Sequence, residues 1–123
     1  MPIPDEMWKA YIGGALLRLS NESYQRRAWF NNHAEETSPD EQICQLFDDY
    51  LLEDFLSQQK LSHAQREATN RLISLLKSYG GGVNCQINSA QAIDDPQWQE
   101  IRENAKEVIE SLGPLISTDD TAL

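Results

Sequence analysis

Residues 95–114 read DPQWQEIRENAKEVIESLGP, and no other stretch of the chain specifies its conformation so completely. Asp95 supplies a side-chain oxygen to cap a helix, and Pro96 suits the first helical position, where no backbone N–H is needed. Trp98, Ile101, Ala105, Val108, Ile109 and Leu112 then recur at the spacing of one helical face, and Gly113-Pro114 stops the run. Glu100, Glu103, Glu107 and Glu110 lie opposite that stripe, with Arg102 and Lys106 as basic neighbours, and read as a solvated face. One amphipathic helix of this kind needs partners to cover it.

Working outward, the rest of the chain supplies them. Ser62-His63-Ala64-Gln65 is a capping box, Ala68, Leu72, Leu75, Leu76 and Tyr79 form the stripe behind it, and Gly80-Gly81-Gly82 ends it. Ser38-Pro39-Asp40-Glu41 opens another helix with Ile43, Leu46, Phe47, Tyr50 and Leu51 on one face, continuing less cleanly through Leu52, Phe55 and Leu56 to about Gln58. The short turn at Lys60-Leu61 predicts that these two helices pack as an antiparallel hairpin. A first helix spans about Asp5 to Leu19, with Trp8, Ile12, Ala15, Leu16 and Leu19 inward and Gly13-Gly14 allowing a kink or a close approach. A shorter one follows from about Asn21 to Phe30. Val83–Ile93 reads as a loop and 117–123 as a frayed tail. The expectation is an all-α, single-domain bundle of four to five helices over residues 1–123. Its core would hold Trp8, Leu16, Phe47, Leu51, Leu72, Leu76, Trp98, Ile101 and Ile109.

Composition narrows the function. A chain of 123 residues, 40% hydrophobic, with three Trp, four Tyr and three Phe, carries enough apolar material for one core and not for two. Its net charge of −10 repels phosphate backbones and anionic lipid, so a basic protein is the expected partner and nucleic acid and membrane are not. No basic-then-apolar leader opens the chain, and no run approaches the length of a membrane span, which predicts a cytoplasmic protein. Cys44 and Cys85 form no CxxC pair, so neither a disulfide scaffold nor a zinc site is indicated.

The charge is also unevenly placed. From Ala28 through Gln59 there is no Lys or Arg, while Glu35, Glu36, Asp40, Glu41, Asp48, Asp49, Glu53 and Asp54 contribute eight negative charges. Helical geometry turns Asp48, Asp49 and Glu53 away from the apolar stripe and Asp54 toward its edge. Like charges three and four residues apart cost stability, so an uncompensated block points to a use, such as steering a basic partner. Metal-dependent nucleotide hydrolysis is the enzymatic alternative. Its paired carboxylates follow a different spacing from the DDxxxED found here, however, and no Lys or Arg lies near to hold a phosphate. His33 and His63 have no local nucleophile, and no GxSxG, phosphate-binding glycine loop or HExxH is present. No catalytic residue, cofactor or metal ligand is therefore expected. Trp29-Phe30-Asn31-Asn32 places two large rings before the acidic loop, where they either close the core or anchor a partner.

Arg27-Ala28-Trp29-Phe30-Asn31-Asn32, Ser38-Pro39-Asp40-Glu41 and Leu46-Phe47-Asp48-Asp49-Tyr50-Leu51 together resemble small immunity proteins of bacterial contact-dependent growth inhibition and related polymorphic toxin systems. The resemblance covers about a quarter of the chain. It implies a non-enzymatic protein that neutralises a basic toxin domain, usually a nuclease, by occluding its phosphate-binding groove with acidic side chains. The partner-binding residues would be Trp29, Asn31, Asn32, His33, Glu35, Glu36, Asp40, Asp48, Asp49 and Glu53. The alternative is a small chaperone or adaptor that buries a partner helix in an apolar groove.

Overall fold

The computed structural model describes residues 4–30, 37–80 and 87–117. About 80% of these residues are helical and none is in a strand. In chain order they form α1 (Asp5–Ser20), α2 (Glu22–Ala28), α3 (Pro39–Cys44), a π-helical turn (Gln45–Asp49), α4 (Leu52–Ser57), α5 (His63–Gly80), α6 (Ser89–Ala92), α7 (Pro96–Leu112) and a 3-10 turn (Gly113–Leu115). Among them no helix is long and apolar enough to cross a membrane.

The local signals act as their chemistry requires. The Ser38 hydroxyl accepts from the Glu41 N–H at 3.1 Å, and Pro39 begins α3. The box at α5 is reciprocal: Ser62 Oγ accepts from Gln65 N–H at 3.2 Å, and Gln65 Oε1 accepts from Ser62 N–H at 2.8 Å. Asp95 divides its carboxylate, one oxygen capping α7 at Gln97 N–H (2.9 Å) and the other accepting from the Tyr79 hydroxyl (2.7 Å). Gly113 takes φ 51°, a conformation open to glycine, and ends α7.

α7 lies at the centre, with its most extensive contacts against α1 and α5. Trp98, Ile101, Ala105, Val108 and Leu112 are buried on it, facing Ile12, Leu16 and Leu19 of α1 and Leu72 and Leu76 of α5. Burying side chains of this size contributes on the order of 1.5–3 kcal/mol each. The chain does reverse between α4 and α5, and Glu53 reaches Lys77. The close helical partner of α5 is nevertheless α7, so the predicted hairpin is not the main packing unit.

Four expectations need correction. The helix predicted over 38–58 is broken. Its third turn widens into the π turn, where Tyr50 N–H bonds the Gln45 carbonyl at 2.8 Å, and Leu51 then adopts φ 51°, ψ 55° before α4 starts. The Trp8 indole N–H donates to the Tyr50 carbonyl at 2.6 Å, giving that oxygen a partner across 42 residues in place of the next helical turn. The break shifts the apolar phase by one residue, so Leu52, Phe55 and Leu56 enter the core and Leu51, expected there, is 40% exposed. Second, the loop predicted over 83–93 contains α6, capped by Asn88 through Gln91 N–H at 3.0 Å, with Ala92 and Ile93 buried; its first residues, Cys85 included, lie outside the described ones. Third, Ser117 is not frayed. Its N–H donates to the Lys9 carbonyl at 3.1 Å, and the chain crosses α1 over Gly13, where a side chain would overlap the Ser117 carbonyl. Residues 118–123 lie outside the described ones.

Finally, Arg102 is not on the solvated face. It is 3% exposed and donates to Gln25 Oε1 (2.7 Å), Gln99 Oε1 (2.8 Å) and the Ile93 carbonyl (2.9 Å). Gln25 Oε1 also accepts from the Trp98 indole at 3.1 Å, and its amide donates to the Leu19 carbonyl at 2.8 Å. Burial pushes the Arg102 guanidinium below its usual value, and the Glu22 carboxylate at 3.7 Å opposes that shift. Glu22 also holds Arg26, which reaches Asp94, so α2 is tied to α7 and to the segment before it by a shared set of polar groups.

Candidate partner-binding surface

The acidic residues meet three different fates. Asp40 is half-buried, and both of its carboxylate oxygens accept from the Ile87 N–H, at 2.9 and 3.2 Å. It clips the 87–88 segment to the first turn of α3, so its charge is committed inside the molecule. Glu53 is exposed but paired with Lys77 at 3.2 Å, and that ammonium also lies 5.7 Å from the Phe47 ring centre. The block is therefore not wholly uncompensated: α5 supplies a cation from outside the window in which none was found. Asp48, Asp49 and Asp54 are exposed, and no Lys or Arg among the described residues pairs with them. Asp54 does not turn toward the core, because the break at Leu51 rotates α4 relative to α3.

Trp29 is half-buried, its ring edge-to-face with Trp98 at 5.4 Å, while its neighbour Phe30 is exposed. Of the two rings, Trp29 closes the core and Phe30 faces out. Asn31, Asn32, His33, Glu35 and Glu36 lie outside the described residues.

The structure adds a feature that was not foreseen. Met7 and Tyr11, one turn apart on α1, are 47% and 38% exposed. The Tyr11 ring stacks on Tyr50 with centres 5.2 Å apart and planes 15° from parallel. Leu51 follows immediately. The Tyr50–Leu51 corner is thus held by the Trp8 indole from one side and the Tyr11 ring from another. Left-handed backbone in a leucine costs about 1–2 kcal/mol. Here that cost is spent on placing a large apolar side chain in solvent. Asp48 and Asp49 directly precede the corner, and Glu53 and Asp54 follow it. Strained backbone and π turns concentrate at functional sites, and an aromatic-apolar centre with a charged rim is the usual anatomy of a protein interface.

Sequence reading missed this centre because Met7 and Tyr11 flank the Trp8–Ile12–Leu16 stripe and pass for its edge. The available sign was the unbroken apolar run Tyr50-Leu51-Leu52, since three consecutive residues spread over more of a helix's circumference than one stripe covers. One hollow among the described residues bears on the adaptor alternative, which requires an apolar groove. Between α4 and α5, Leu56, Leu61 and Ile73 line a hollow of about 200 Å³, rimmed by Glu53, Arg66, Thr69 and Asn70. A drug-sized pocket occupies about 300–1,000 Å³, and a helix would need more. Among the described residues no three His, Cys, Asp or Glu side chains converge as metal ligands would. No family model, curated protein or solved structure matches this chain.

Proposed function

We propose that the protein is a non-enzymatic immunity protein that binds a basic toxin domain, of nuclease type by the resemblance of its sequence, and covers that domain's phosphate-binding groove. The observation that carries this reading is the centre of exposed Met7, Tyr11 and Leu51 with half-buried Tyr50, which Asp48 and Asp49 precede and Asp54 follows in the sequence, in a chain of net charge −10. The acids steer a cationic partner and suppress anionic ones, while the apolar centre supplies the short-range binding energy. Asp40 and Trp29 are engaged within the fold, by the Ile87 N–H and the Trp98 ring, and stand outside the proposed contact.

The first test is genetic. An adjacent reading frame should end in a basic domain whose expression arrests growth, and this chain should relieve the arrest. Absence of such a domain, or arrest that persists, removes the immunity reading. Surface plasmon resonance against that domain at about 50 and 500 mM salt then tests the surface. Asp48→Lys with Asp49→Lys should lower affinity sharply and weaken its salt dependence, whereas Glu103→Lys with Glu110→Lys, on exposed positions of α7, should change it little. Wild-type binding by the first pair at both salt levels would place the interface elsewhere.

A further inference from the structure

We infer that the Tyr11–Tyr50 corner is a receptor for an arginine side chain of the partner, in preference to lysine. This rests on the reading of the surface as a dock for a basic protein and adds the chemistry of the residue it accepts. Lys77 already neutralises Glu53, so among the described acids of the block the exposed charges without a Lys or Arg partner include Asp48 and Asp49, directly before Tyr50 in the chain, and Asp54 after it. Next to Asp49 in the chain, Tyr50 forms a near-parallel ring pair with Tyr11; Met7 stands one turn before Tyr11 on α1 and Leu51 directly after Tyr50, all partly open to solvent.

The two basic side chains differ in how they use such a place. A guanidinium is planar, weakly hydrated on its faces, and stacks on aromatic rings while its edge donates two hydrogen bonds to a carboxylate. An ammonium is a compact, strongly hydrated point charge, equally satisfied by a carboxylate with no ring beside it. A methionine thioether and a leucine give the aliphatic stem an apolar seat. The acids alone would attract either residue. The ring stack distinguishes them.

The probes are two capped peptides of equal charge, hexa-arginine and hexa-lysine, titrated by calorimetry at low salt into the whole chain. Hexa-arginine should bind more tightly by up to about fivefold, the full worth of one cation–π contact at an exposed site, of which an ammonium keeps a part. Tyr11→Ala should bring the ratio close to one, and Tyr11→Phe, which keeps the ring face, should preserve it. Asp48→Asn with Asp49→Asn should weaken both peptides by a similar factor. Equal binding of the two peptides to the wild type, lost in the Asp48→Asn/Asp49→Asn variant, overturns the arginine preference and leaves the acidic dock standing. A preference that survives Tyr11→Ala overturns it also. If neither peptide binds, the acidic dock falls together with the inference.

Discussion

Replacing Gly13 or Gly14 by alanine makes the same chemical change at neighbouring positions of one helix, and the structure gives the two changes opposite signs. Alanine is favoured over glycine in a helix interior by about 1 kcal/mol, which both variants gain. At Gly14 the new methyl meets only the Arg18 guanidinium, 3.3 Å away at the end of a flexible side chain that can swing aside. Gly14→Ala should therefore raise stability by about 0.5–1 kcal/mol. At Gly13 the methyl meets the Ser117 backbone, which cannot yield without lifting off α1. That movement breaks the Ser117 N–H bond to the Lys9 carbonyl, worth about 0.5–1.5 kcal/mol, and uncovers Ile116, which is buried and contributes about 1.5–3 kcal/mol. After the helical gain is subtracted, Gly13→Ala should lose about 1–3.5 kcal/mol. Urea unfolding followed by circular dichroism reads both, with a shared m-value as the check that the same surface is exposed. A Gly13→Ala protein as stable as Gly14→Ala would refute the crossing of the C-terminal segment over α1.

Arg102→Ala should cost about 2–4 kcal/mol, because it leaves the Ile93 carbonyl and part of the Gln25 oxygen buried without a donor. A loss under about 1 kcal/mol in urea would mean that water replaces the guanidinium, and that Arg102 does not tie α2 to α7. Tyr79 is predicted to make stability fall in alkali. Burial first, and then its bond to Asp95, raise its pKa well above the usual tyrosine value, so the neutral form is favoured in the folded state. The stability it contributes is present in full below about pH 10 and is lost as pH rises beyond that toward the folded value. Tyr79→Phe should flatten the decline of stability between about pH 9 and 12 relative to wild type, and equal slopes would dismiss the effect.

The parts of this fold legible in the sequence are those governed by neighbours within one or two turns. The caps at Ser38, Ser62 and Asp95 bind N–H groups two or three residues away, and the stripes of α5 and α7 recur every three or four residues. The parts that were not legible depend on distant partners. The helix expected through Leu51 ends because of an indole 42 residues earlier. Arg102 was assigned to solvent on the strength of its glutamate neighbours, yet its acceptors include Gln25, 77 residues away. Glu107, likewise read as a plain solvated acid, reaches Arg71 on α5 at 3.1 Å. In the candidate site the acids were visible one by one, but which of them were already engaged, Asp40 by a backbone amide and Glu53 by Lys77, was decided by tertiary contact. The apolar centre was hidden for the same reason: Tyr11 and Tyr50 meet only when α1 and the π turn come together.

The position of α7 at the centre also sets an order of events during synthesis. Both of the long helices that it separates from water, α1 and α5, precede it in the chain and leave the ribosome first. Until residues 96–112 have emerged, the stripes at Ile12, Leu16 and Leu19 and at Leu72 and Leu76 lack the surface that covers them in the finished molecule. Growing chains are therefore expected to expose those stripes to chaperones and proteases until α7 is available to cover them. Nascent chains stalled before Trp98 should be degraded readily, and those extended past Leu112 should resist.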